Sequence, residues 1–184
     1  MNRQSLIQLF EGHQGKVADK WQLYLEEYDR LLASYRDGPV RLLEIGVQNG
    51  GMLEIWAKYF PQAEKLVGCD IDPACAELEF HDPRISLIIG DVNSDETQAR
   101  ISAASNEFDI IIDDGSHHSG DIIRAFGLLF PKLALGGRYI IEDLHCSYWG
   151  VYEGGLNYPF SSIAFFKSLA DILNHNHWSL EKGV

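Results

Sequence analysis

Phe108-Asp109-Ile110-Ile111-Ile112-Asp113-Asp114-Gly115-Ser116-His117-His118 is the stretch that decides the fold. An apolar, β-branched run of strand length stops at paired acids and a Gly-Ser turn. Short runs of this kind, bounded by turn residues, read as buried strands of a parallel sheet. The pattern recurs in Gly137-Arg138-Tyr139-Ile140-Ile141-Glu142-Asp143-Leu144-His145. In an open parallel sheet, ligands bind beyond the carboxyl ends of the strands. Two adjacent strands of this design would deliver Asp113, Asp114, Glu142, Asp143 and His117 to one edge. Crowded carboxylates repel one another unless a cation joins them or some are protonated. Hard oxygen donors with open positions suit Mg²⁺ or Mn²⁺.

Outward from these two runs, strand and helix alternate along the chain. Strands are expected over 40–47, 65–70, 84–89, 108–112 and 138–141, and helices over 52–59, 73–79, 95–104 and 118–133. Short links between them imply right-handed crossovers with helices on both faces. The fold class is therefore α/β, a doubly wound Rossmann-like parallel sheet with strand order 3-2-1-4-5. Residues 1–15 are mixed and end in the loop signal Gly12-His13-Gln14-Gly15. Over 16–36, Trp21, Tyr24, Leu25, Tyr28, Leu31, Leu32 and Tyr35 recur at helical steps and predict an aromatic-faced amphipathic helix. Core packing is its first expected role, and a share in a substrate pocket or subunit contact the alternative. Residues 145–160 are aromatic and Gly-rich and read as a loop or lid over the strand ends. A last helix is expected over 162–174. The whole, 1–184, reads as one domain: a helical entry (1–39), a ligand-binding core (40–143) and a closing segment (144–184).

The bulk numbers narrow the function. The chain has 184 residues, enough to bury a sizeable core, and a net charge of −12. That charge argues against a nucleic-acid partner, because such binding relies on Lys and Arg neutralising phosphates. Cys69, Cys75 and Cys146 suggest neither a disulfide framework nor zinc spacing, and read as free thiols of a reducing compartment. No apolar run is long enough to cross a bilayer, and the first residues lack the apolar core of a signal peptide. A cytoplasmic protein with no membrane partner is the expectation.

Glu44-Ile45-Gly46-Val47-Gln48-Asn49-Gly50-Gly51 follows the first strand and opens a helix. Gln48 breaks the strict dinucleotide fingerprint, yet Gly46 and Gly50 would let a ligand approach the backbone closely. Asp70 ends the second strand, where a carboxylate can accept ribose hydroxyls. Asp91 ends the third, within reach of an adenine amino group, and Asp113 joins this cofactor set at the end of the fourth. Neither a basic residue after the Gly turn nor a G-x-x-x-x-G-K-[ST] motif supplies a phosphate site. An acidic rim suits a cationic nucleoside ligand, and S-adenosylmethionine fits that description better than a pyrophosphate dinucleotide.

With these motifs in view, Leu42-Leu43-Glu44-Ile45-Gly46, Gly68-Cys69-Asp70-Ile71-Asp72 and Gly90-Asp91 resemble a class I S-adenosylmethionine-dependent methyltransferase. Asp113-Asp114-Gly115-Ser116-His117, Leu129-Phe130-Pro131, Gly136-Gly137-Arg138-Tyr139-Ile140-Ile141-Glu142-Asp143 and Ser147-Tyr148-Trp149 narrow the resemblance. Together they are similar to the metal-dependent sugar O-methyltransferases of macrolide biosynthesis, of the mycinamicin and macrocin type, whose core is shared by proteins labelled cephalosporin hydroxylase. The resemblance covers roughly residues 17–175. It implies that Glu44 and Asp70 hold the cofactor, that Asp114, Glu142 and Asp143 hold magnesium, and that His117 is the general base. Where relatives carry a Thr-Asp-Lys-Gly-like entry, this chain reads Gly15-Lys16-Val17-Ala18-Asp19-Lys20. The class I sheet also ends in an antiparallel strand pair after the last helix, and the residues from Asn176 to Val184 are too few for one. That pair is expected to be absent or truncated.

The expected reaction is in-line methyl transfer to a hydroxyl of a sugar or diol-bearing small molecule. A metal-coordinated oxygen is more acidic, and an imidazole, titrating near neutral pH, suits the proton. Tyr148, Trp149 and Tyr158 are candidate walls of the acceptor pocket, with lid packing the equal alternative. Two other readings stay open on sequence: a metal-dependent hydrolase or hydroxylase using the same acids, and a non-catalytic cofactor-binding domain. A homo-oligomer is compatible with either.

Overall fold

Strands β1 (Arg41–Ile45), β2 (Lys65–Asp70), β3 (Ile85–Ile89), β4 (Phe108–Asp113) and β5 (Leu133–Ile141) form one sheet in the order β3-β2-β1-β4-β5, every pair parallel. This is the expected topology. The computed structural model describes residues 3–178. The expectations for the extreme N-terminus and for the tail fall partly on residues 1–2 and 179–184, which lie outside the described residues. Among the described residues, no helix is long and apolar enough to cross a membrane.

Side chains of a strand alternate between faces. On one face Leu42, Leu66, Ile110 and Ile112 pack with α1 (Leu6–Glu11), α2 (Gln22–Leu32) and α3 (Gly51–Tyr59), through Leu6, Leu25, Leu32 and the fully buried Trp56 and Tyr59. On the other, Leu43, Ile45, Val67 and Ile111 pack with Ile101 of α4 (Asp95–Ala104) and Leu129 of α5 (Ser119–Leu129). The chain reverses its winding between β1 and β4, which opens a crevice at their carboxyl ends. The ladder runs past the strand ends there: Asp114 N–H donates to Ile45 carbonyl, and Glu142 N–H to Asp113 carbonyl, both at 2.9 Å. Cys69, Cys75 and Cys146 are all free and buried.

Several boundaries differ from the expected ones, each for a local reason. A short helix, α1, occupies part of the mixed N-terminal stretch, closed by a capping box in which Ser5 and Gln8 exchange side-chain bonds with each other's backbone N–H. The aromatic helix begins at Gln22 rather than 16, because residues 16–21 run non-helically across the sheet's edge. The segment after Pro73 is a 3-10 turn, Pro73–Glu77. α5 stops at Leu129, where Phe130-Pro131-Lys132 tightens into a 3-10 turn. Gly136-Gly137 is not a turn before β5 but a bulge within it: Leu133 pairs with Phe108, Arg138 with Ile110, and Gly136 between them takes φ +81. The last helix, α6 (Ser162–Leu173), lays Phe165 and Phe166 against Phe126 of α5, at ring separations of 6.0 and 5.2 Å.

Ile111 is fully buried in the central strand β4. Ile111→Ala is expected to cost about 2–5 kcal/mol, read from the urea midpoint, with the far-ultraviolet circular dichroism of the folded state retained.

Candidate active site

A cavity of about 510 Å³ opens at the β1/β4 crevice, within the size range of small-molecule sites. Every strand contributes to it at its carboxyl end, and residues 17–21 close one side. All ten residues singled out from the sequence line it except Gly50.

The half beneath β1–β3 is built mainly from backbone. Gly46 has φ +86, and a Cβ there would collide with the Asp114 carbonyl, so only glycine lets the β1 and β4 ends lie together. Gly50, at φ +81, is the N-cap of α3, and a Cβ would press on the Phe80 ring. Asp70 Oδ2 accepts the N–H groups of Val47 (2.7 Å) and Gln48 (2.9 Å), and Oδ1 that of Asp72 (2.9 Å). Burial pushes this carboxyl up, but the three N–H donors outweigh it and hold it below the ordinary carboxylate range. Asp70 therefore fixes the glycine turn as well as facing the cavity. Asp91 Oδ1 accepts from Asn93 N–H at 2.8 Å.

Two acids here are buried with an oxygen to spare. Glu44 is 2% exposed: Trp56 Nε1–H donates to Oε1 at 3.2 Å, and Oε2 has no partner. Burial raises its pKa to about 7, against the opposing pull of Lys20 and the Trp56 bond. Asp113 accepts from Gly115 N–H at 3.3 Å through Oδ1, Oδ2 is unpartnered, and burial again raises the pKa to about 7. Buried polar atoms without partners are rare in folded proteins, so such oxygens ask for a donor or a cation.

At the β4–β5 end, side chains dominate. Asp114, His117 and Asp143 each offer one ligand atom within 4.8 Å of the others, a spacing that can hold a metal ion. His117 Nε2 lies 3.9 Å from Asp114 Oδ1 and 3.8 Å from Asp143 Oδ2. His117 (φ +58), Asp143 (φ +50) and Gln48 (φ +51) are left-handed non-glycine residues, and all three line the cavity. Backbone of this kind is costly and collects at functional sites. Glu142 stands outside the three-atom cluster. Its Oε1 accepts from Lys20 Nζ at 2.7 Å and Tyr28 OH at 2.5 Å. Lys20 also pairs with Asp114 Oδ2. Burial works against the Lys20 ammonium, yet the Glu142, Glu44 and Asp114 carboxylates together raise its pKa and keep it charged. Tyr24 OH donates to Asp143 Oδ1 at 2.8 Å and accepts from Asp143 N–H at 3.1 Å. Burial and the Asp143 bond push this phenol up to about 12, so it stays a donor.

Lys20, Tyr24 and Tyr28 are the functional contacts the sequence did not assign. Helical spacing put both tyrosines on the inner face of α2, but not their hydroxyls on acids. Lys20 had only the Asp19-Lys20 pair of the entry as a signal. The aromatic expectations are redistributed. Trp21 and Tyr24 line the cavity, whereas Tyr148, Trp149 and Tyr158 do not. Trp149 meets His145 edge-on at 5.2 Å, and Tyr158 meets Phe160 at 5.6 Å. The closing segment reaches the site through Tyr152 instead, whose ring stands 6.4 Å from His117 and 5.4 Å from His118.

Residues 43–144 match a family model described as a methyltransferase domain. Among curated proteins, the chain is 34% identical over 177 residues to an 8-demethyl-8-alpha-L-rhamnosyl tetracenomycin-C 2'-O-methyltransferase of Streptomyces olivaceus, covering 90% of this chain and 46% of that protein. It is 37% identical over 162 residues to the mycinamicin VI 2''-O-methyltransferase of Micromonospora griseorubida, covering 83% and 40%. It is 36% identical over 182 residues to the demethylmacrocin O-methyltransferase of Streptomyces fradiae, covering 91% and 45%. The chain thus spans about half the length of the curated relatives it matches. Among solved structures it is similar to the MycE methyltransferase of the mycinamycin biosynthetic pathway in complex with Mg and SAH, with TM-score 0.84, 32% identity, and coverage of 100% of this chain and 49% of that one.

The buried Glu44 yields a signed pH test. Its folded pKa is raised from 4.5 to about 7, so its contribution to stability is fully present below 4.5 and is lost as pH rises through 7. Without ligands, Glu44→Gln should melt level with the parent near pH 4 and above it at pH 8, by up to ~3 kcal/mol from the size of the shift. Thermal melts across that range check this, and a pH-independent gap would remove Glu44 as the source.

Proposed function

We propose that this chain, which belongs to the methyltransferase domain family, transfers the methyl group of S-adenosylmethionine to a hydroxyl of a sugar or other diol-bearing small molecule, assisted by Mg²⁺ or Mn²⁺. One observation carries the reading. A single cavity joins a glycine turn with an unpartnered buried Glu44 oxygen to a metal-spaced Asp114–His117–Asp143 group. The relatives that share this sequence are, by their names, O-methyltransferases, one of them acting on a rhamnosyl compound. The reading treats residues 1–184 as one methyltransferase domain.

The residues present fit both groups. Glu44, with its spare buried oxygen, would face the cationic amino-acid end of the cofactor. Asp70 and Asp91 would serve the ribose and the adenine amine, beside the bare backbone of Gly46 and Gly50, with Asp113 flanking. Asp114 and Asp143 would hold the divalent ion, with Glu142 as the third carboxylate of the set. The cofactor supplies a sulfonium methyl, and the cation supplies positive charge that makes a neighbouring hydroxyl more acidic.

The chain itself does the positioning. His117 Nε2 faces the same space as the Asp114 and Asp143 carboxylates, so it can take the acceptor proton as the new oxygen–methyl bond forms. The left-handed backbone at 117 turns the ring toward those carboxylates. Tyr24 anchors Asp143 through two hydrogen bonds to one hydroxyl. Trp21 and Tyr24 wall the acidic end, so an acceptor is held at a fixed angle to the cofactor side, where much of the rate of an in-line transfer arises.

Calorimetric titration with S-adenosylmethionine and with Mn²⁺ tests the assignment. Asp114→Ala should lose metal binding and metal-dependent turnover while binding the cofactor as the parent does. His117→Ala should keep both ligands and lower the turnover of a diol acceptor by ~10²–10⁴. Full turnover in either variant, or no saturable cofactor binding by the parent, sinks the reading.

A further inference from the structure

Lys20 sits where the acids are densest. Its ammonium is paired with Asp114 Oδ2 and lies 2.7 Å from Glu142 Oε1, and its side chain is 4% exposed. Among the described residues lining the cavity, it is the only lysine or arginine, in a wall rich in carboxylates. Its position is set by backbone rather than by a free tether. Lys16 N–H donates to Glu54 Oε2 at 2.9 Å and Gly51 N–H to Val17 carbonyl at 3.2 Å, which clamps the segment to the first turn of α3. A Cβ on Gly51 would strike the Val17 and Lys16 carbonyls, so this approach is built around a bare residue. At the other end, Trp21 is the N-cap of α2.

The Lys20 ammonium and a cation held between Asp114 and Asp143 draw on the same Asp114 carboxylate. Two positive groups on one carboxylate repel, and the repulsion is strong away from bulk water. Glu142 differs, because its Oε1 already has two donors, Lys20 and Tyr28, which it can keep while its other oxygen, Oε2, is left for the ion. We propose that Lys20 is the resident counter-ion of the acidic centre: it neutralises Asp114 and Glu142 in the metal-free protein, and releases Asp114 while keeping Glu142 when a divalent cation binds. Lys20 is thus a positioning residue that sets metal affinity. The inference rests on the divalent-metal reading above.

The test measures Mn²⁺ affinity, by the loss of the free-ion electron paramagnetic resonance signal, together with thermal melts in EDTA and in Mn²⁺. Both are run on the parent and on Lys20→Met, which keeps the length of the side chain and removes its charge. Lys20→Met is expected to bind Mn²⁺ about ten-fold more tightly, since a competing charge is gone. It should also melt lower than the parent in EDTA and recover in Mn²⁺. Equal or weaker Mn²⁺ binding by Lys20→Met, or the same loss of melting temperature with and without the ion, overturns the proposal and leaves the metal site standing. No Mn²⁺ binding by either protein overturns the metal reading and the proposal with it. Should Lys20→Met not fold, Mn²⁺-soaked crystals of the parent decide. The anomalous peak should be accompanied by Lys20 Nζ beyond hydrogen-bond reach of Asp114, and an ammonium still bonded there overturns the proposal.

Discussion

A carboxylate taken out of water costs several kcal/mol unless something compensates, and this chain turns Glu44, Asp114 and Glu142 toward a single buried ammonium. The arrangement follows from the sheet. β1, β4 and β5 are in parallel register, so Asp114 and Glu142 emerge side by side just past the ends of β4 and β5, with Glu44 two residues further back on β1. Much of the remaining architecture answers their charge. α3 supplies the Trp56 indole to Glu44, α2 the Tyr28 hydroxyl to Glu142, and the segment before α2 the Lys20 ammonium to Glu142 and Asp114. Well-packed apolar residues would serve stability as well or better. Retaining so many acids at one strand edge is the mark of a site.

The cavity has two ends of different construction. Toward β2 and β3 the determining groups are main-chain: left-handed glycines, and a turn whose N–H groups are held by Asp70. Toward β5 they are side chains on left-handed backbone, with His117 facing Asp143 at 3.8 Å and Asp143 held by Tyr24. A ligand common to a whole family can be met by backbone, whose geometry changes little with sequence. The side-chain end also meets the aromatic pair Trp21 and Tyr24, and Tyr152 approaches it from the closing segment.

Most of the sheet was legible because period and punctuation agreed. Runs such as Ile110-Ile111-Ile112 are apolar on both faces and end at acids, and a parallel strand buried on both sides has no other pattern. The strand order and the clustering of Asp114, His117 and Asp143 at one edge follow from that. What escaped depended on partners distant in sequence. Residues 16–21 carry helix-compatible composition, and nothing local says that Lys20 is drawn to Asp114 and Glu142. The Gly136-Gly137 pair marks a bulge as readily as a turn, and only the pairing of Leu133 with Phe108 decides between them. Tyr148, Trp149 and Tyr158 were sensible pocket walls by type, but the fold of the closing segment sends Tyr152 to His117 instead. The α1 helix did have a signal, Ser5-x-x-Gln8, in a stretch too short for periodicity to stand out.

The bonds of Lys20 to Asp114 and Glu142 join residues 94 and 122 positions apart. Closing loops of that length costs entropy before any contact repays it. Neighbouring strands and their crossover helices have nearer contacts to assemble from than the Lys20 ammonium has. Detachment of residues 16–21 would be a local opening that leaves the sheet intact while baring its acidic edge. Amide hydrogens of residues 16–21 would then exchange with solvent well before those of β1 and β4. The binding centre is therefore complete only when a segment remote in sequence is seated against the strand ends.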